Sequence, residues 1–73
     1  MKHELFMDVP PEKLEDTIER WIRGRHCLRN RQILKDRLLK GFTFEHLAEV
    51  HDMSVRRVKD IVYDGELTIS KYL

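Results

Sequence analysis

The stretch that decides the fold is residues 43–63, TFEHLAEVHDMSVRRVKDIVY. Thr43 and Ser54 each stand just before a run of apolar residues at helical spacing. A hydroxyl in that place accepts from backbone N–H groups that a helix start leaves unpaired. After Thr43 come Leu47 and Ala48, flanked by Glu45 and Glu49, which predicts a short helix ending near Val50 or His51. After Ser54, the residues Val55, Val58, Ile61 and Val62 form one apolar face of a second helix. Ala48 is small where the two backbones must approach, and Leu47, Met53, Val58 and Ile61 can share one core. Two short helices joined by three or four residues make a helix-turn-helix, the unit whose second helix can enter the DNA major groove. The turn carries His51-Asp52, and such turns commonly need a positive φ, which Asp tolerates better than most residues. The expectation is Asp52 in the left-handed region and His51 half-buried.

Downstream, Asp64-Gly65 reads as the helix stop, followed by a tail from Glu66 to Leu73. Leu67, Ile69, Tyr72 and Leu73 would dock that tail on the domain. Asp-Gly between Ile61-Val62-Tyr63 and Leu67-Thr68-Ile69 is also a hairpin signal. In that alternative the helix ends near Lys59 and residues 61–69 form a small wing. Upstream, a helix from Leu28 to Lys40 is stopped by Gly41. Its apolar residues Leu28, Ile33, Leu34, Leu38 and Leu39 lie on several sides, as in a helix placed centrally among others. A first helix over 11–23 starts at Pro10-Pro11, gains Glu12, Glu15 and Asp16 early, and stops at Gly24. Leu14, Ile18, Trp21 and Ile22 form its buried face, with Trp21 as a core anchor. The first seven residues carry no period, so residues 1–9 read as a flexible N-terminus and 10–73 as one domain. The fold class is all-α: a small bundle of about four helices, with a helix-turn-helix at 43–64 and a short docked C-terminal tail.

At 73 residues the chain is one domain at most. Its 41% hydrophobic content excludes a disordered tail, and 37% charged residues exclude a membrane protein. Without an apolar span or an N-terminal signal, the expected location is the cytoplasm. The formal charge of +1 hides three blocks. Residues 1–19 carry −4, residues 20–40 carry +7 with Asp36 as the lone acid, and residues 41–73 carry −2. The middle block is mostly Arg, which suits phosphate or carboxylate forks. It reads either as a solvated face that pairs with the acidic N-terminus or as an anion-binding patch.

The run Arg37-Leu38, Gly41-Phe42-Thr43-Phe44-Glu45-His46-Leu47-Ala48-Glu49, Ser54, Val58-Lys59 and Ile61 resembles region 4 of the sigma-70 family of bacterial transcription factors. It is most similar to the short stand-alone versions of phages and mobile elements. The resemblance spans about residues 28–64 and implies that the second helix, here about 55–64, reads a promoter element. It departs from the family at the turn, where His51-Asp52 replaces an apolar residue followed by Gly. No segment resembles the promoter-melting region, and at 73 residues a complete sigma factor is not expected. Arg37 and Glu45 fall on charged positions of that family and read as a salt bridge pinning two helices.

The face opposite Val58 and Val62 carries Arg56, Arg57, Asp60 and Tyr63, with Lys59 at its border. Arg can take guanine O6 and N7 with two bonds, and Asp60 can accept from cytosine N4. Lys59, Arg29 and Arg31 are candidates for phosphate contacts, and Thr43 and Ser54 sit at the helix starts beside them. The plain structural alternative is a solvated face with Arg56–Asp60 and Arg57–Asp60 pairs. The partner on the first reading is double-stranded DNA, and the role is regulation of transcription. The rival is a protein-binding module on the same scaffold, an RNA polymerase adaptor or a phage-encoded inhibitor of a host protein. The −2 of residues 41–73 favours that rival. A homodimer through the Trp21 helix is a further expectation, since helix-turn-helix proteins commonly bind as dimers. No membrane partner and no cofactor are expected. His46 and His51 lack metalloprotease spacing, and position 47 is Leu. His26-Cys27 has no second cysteine for a zinc site, and Cys27 can make no internal disulfide. No Gly-rich phosphate loop is present, so the chain does not read as an enzyme.

Overall fold

Four helices follow one another along the chain in a computed structural model that describes Phe6 and residues 8–73. They are α1 (Pro11–Trp21), α2 (Cys27–Leu38), α3 (Phe44–Val50) and α4 (Val55–Tyr72). The small all-α bundle read from the sequence is therefore the fold, and no strand occurs among the described residues. The core is Leu14, Ile18 and Ile22 from the α1 region, Ile33 and Leu34 from α2, Leu47 and Ala48 from α3, and Val58, Ile61, Val62 and Ile69 from α4. Burying each large aliphatic side chain contributes roughly 1.5–3 kcal/mol. The central place expected for α2 holds, since it packs on all three other helices.

Local chemistry sets most helix ends. Pro11 opens α1 with Glu12 in the first turn. Thr43 and Ser54 accept from the backbone N–H of His46 and Arg57 at 3.0 and 3.1 Å. The turn between α3 and α4 places Asp52 at φ 54 and His51 half-buried, both as expected. There Met53 N–H donates to Ala48 O and Asp52 N–H to Glu49 O, closing the end of α3 around a left-handed residue. Gly41, at φ 75, ends α2 in the same left-handed region.

Six expectations need correction. First, α4 does not stop at Asp64-Gly65, and neither the hairpin nor a separate tail forms. Gly65 is buried within the helix because α4 crosses α2 there, and a Cβ would stand 2.5 Å from Leu34 Cδ1. The glycine serves close approach, and Ile69 beyond it is fully buried. Second, Trp21 is no core anchor. It is 39% exposed and stacks flat on Tyr72, with ring centroids 3.8 Å apart. Third, α1 ends at Trp21 rather than 23. Ile22 turns extended to bury its side chain, and its carbonyl accepts from Arg31 Nε at 2.8 Å. Fourth, Phe6 belongs to the core at 5% exposure, and Val9 packs against it, so the anchored chain begins before residue 10. Residues 1–5 and 7 lie outside the described residues. Fifth, Leu28 is 78% exposed, so it does not contribute to a buried side of α2. Sixth, Arg37 forms no salt bridge with Glu45. Its Nη1 donates to Phe42 O at 2.8 Å and its guanidinium lies 4.1 Å over the Phe44 ring, which pins α2 to α3 without an ion pair.

Candidate nucleic-acid interface

The N-terminal half of α4 is held from beneath by Val58, Ile61 and Val62. A helix held on one stripe presents the opposite stripe to solvent. Arg56, Arg57, Lys59, Asp60 and Tyr63 are accordingly exposed together on α4. Ser54 and Thr43, also exposed, use their hydroxyl oxygens as helix caps. The Arg56–Asp60 and Arg57–Asp60 pairs of the structural alternative do not form, and neither guanidinium is in an ion pair among the described residues.

One aromatic ring, Phe44, positions part of this face, although nothing in the sequence pattern assigned it that role. Half-buried at the start of α3, it has Lys59 Nζ 5.7 Å above it and Tyr63 edge-on at 6.0 Å. Arg37 covers it from α2. Its place three residues after Gly41 and next to a cap was the available signal, but the ring's partners come from other helices. Glu66, half-buried on α4, has its carboxyl pushed above the ordinary glutamate range by burial, partly offset by the charge of Arg37.

Arg29 and Arg31 are placed differently from the α4 residues. Arg31 is 16% exposed, with its Nε on the Ile22 carbonyl and its Nη1 3.8 Å from Glu19. Arg29 is half-buried, and its Nε donates to Asn30 Oδ1 at 3.2 Å. Lys35 bridges α2 to Glu15 and Glu19 of α1. The hydrogen bond from Lys35 holds the Glu19 carboxyl below its ordinary value. Arg20 pairs with Asp16 and Lys40 with Asp36, each at 3.6 Å. Much of the basic middle block thus pairs with acids of the domain, as the solvated-face reading expected. A groove of about 230 Å³ runs between the end of α1, the start of α2 and α4, and Arg23, Asn30, Arg57, Asp60 and Asp64 line it. Among the described residues, no group of three or more His, Cys, Asp or Glu side chains is placed to hold a metal ion. No described helix is long and apolar enough to cross a membrane.

The fold and this face define a small all-α domain with an α3–turn–α4 unit whose second helix carries an exposed cationic N-terminal half. Comparisons with protein-family models, curated proteins and solved structures found no match to the chain.

Proposed function

We propose that the domain binds double-stranded DNA through α4 and regulates transcription, in the manner its sigma region 4 resemblance implies. The observation that carries this reading is that Arg56 and Arg57, exposed on a capped and core-anchored helix, form no ion pair among the described residues. Arg56, Arg57 and Asp60 supply donors and an acceptor for base edges, with Tyr63 beside them. Lys59 supplies a phosphate contact. Gel retardation of random and promoter-like duplexes over a salt series tests this. A phosphate-contacting binder weakens linearly in log–log salt with a slope near −0.9 per phosphate neutralised. No retardation of any duplex at low salt overturns the reading.

A protein-binding role on the same scaffold is the second reading. It is favoured by exposed Glu45, Glu49 and Val50 on α3, acidic and apolar side chains that do not attract DNA, and by exposed Leu67 on α4. Capture of purified RNA polymerase by the immobilised domain tests the adaptor form. A homodimer would use the exposed Trp21–Tyr72 stack, and solution mass measured for the parent and for Trp21→Ala tests that.

A further inference from the structure

We propose that the turn Arg23-Gly24-Arg25 between α1 and α2 makes a second contact with duplex DNA, holding the phosphate backbone beside the groove that α4 enters. The inference rests on the DNA reading above and extends it to residues outside the helix-turn-helix. Elimination among the basic residues of 20–40 is the first support. Arg20, Arg31, Lys35 and Lys40 pair with acids, Arg37 is held by the Phe42 carbonyl and the Phe44 ring, and Arg29 bonds Asn30. Arg23 and Arg25 remain exposed and without an ion pair among the described residues.

Placement is the second support. Arg23 lines the same groove as Arg57, so the fold brings this turn alongside the N-terminal half of α4. The turn is also open from outside. Gly24 sits at φ +111, and a Cβ there would meet no atom within 4 Å. A phosphate backbone can therefore approach without displacing a side chain, and guanidinium forks match its oxygens. Asp60 and Asp64 line the groove as well and repel any anion that enters it deeply. The partner is therefore an extended polyanion lying across the rim, not a free phosphate or nucleotide inside.

The test is the full chain carrying Arg23→Ala and Arg25→Ala together, titrated with random duplexes over a salt series. The expected result is a log–log slope less steep by about 0.9 for each arginine that held a phosphate. Affinity should fall equally for all duplex sequences, with unchanged helical circular dichroism. Arg23→Lys with Arg25→Lys keeps the charge and should restore the slope. If the parent binds DNA and the double alanine variant keeps its slope and affinity, the turn proposal is overturned and the α4 reading stands. A shallower slope that the lysine variant fails to restore also overturns it. If the parent retards no duplex at the lowest salt, both readings fall together.

Discussion

Gly65 on α4 lies directly against the side chain of Leu34 on α2, so close that a Cβ would stand 2.5 Å from one methyl and 2.7 Å from the other. Leu34 is fully buried, so its methyls have little room to move. Gly65→Ala gains about 1 kcal/mol of helix propensity but forces overpacking that costs about 1–3 kcal/mol. The expected outcome is net destabilisation in urea unfolding. In a Leu34→Ala background the same change should instead stabilise. A single Gly65→Ala variant more stable than the parent would show that the helices approach less closely.

The two hydroxyl caps should contribute separately. Thr43→Ala and Ser54→Ala each remove the acceptor of one helix-start N–H and should each cost about 1 kcal/mol. Thermal or urea unfolding measures this, with Thr43→Asp and Ser54→Asp expected to retain stability.

Asp52 at φ 54 lies where glycine is unstrained. Asp52→Gly should leave stability unchanged or raise it by up to about 1 kcal/mol, because relief of strain is offset by a freer unfolded chain. Asp52→Val should destabilise the domain, since a β-branched side chain resists positive φ. Equal stability of the Gly and Val variants would contradict the left-handed turn.

Glu19 should make stability pH-dependent in a defined direction. Its carboxyl is held below the ordinary 4.5 by the hydrogen bond from Lys35. A lowered folded-state pKa contributes stability that is present above the unfolded value and lost as pH falls through the folded value. Glu19→Gln should therefore be less stable than the parent at neutral pH, with the gap closing on acidification below 4.5. Glu66, raised by burial, has the opposite sign. Its contribution to stability falls as pH rises from the ordinary value through the raised one. A Glu19→Gln gap that stays constant with pH would contradict the pairing.

On the DNA reading, Arg56→Ala and Arg57→Ala should weaken binding and leave helicity intact, because both side chains are exposed and carry no ion pair among the described residues. Where an arginine grips a base with two hydrogen bonds, its removal should reduce discrimination between sequences by about 1–3 kcal/mol. Normal binding by both variants would show that α4 presents the wrong face. Circular dichroism alongside retardation assays separates weaker DNA binding from unfolding.

The legible parts of this protein depend on a few neighbouring residues. Thr43 and Ser54 cap their own helices, Asp52 takes the turn, and the Val58–Val62 stripe leaves Arg56, Asp60 and Tyr63 outside. Each of these follows from hydrogen bonding within one turn or from the 3.6-residue period. The basic charge of residues 20–40 was also visible, although which of its arginines stay exposed beside the α4 groove was not. What only the tertiary structure decided involves a partner distant in the chain. Gly65 reads locally as a helix stop, yet Leu34 makes it a contact point inside α4. Trp21 reads as core until Tyr72 arrives to stack on it at the surface. Arg31 reads as a free cation until Ile22 and Glu19 of the α1 region take its guanidinium. Local geometry is written in adjacent residues, whereas the role of a contact-forming side chain is set by which helix faces it.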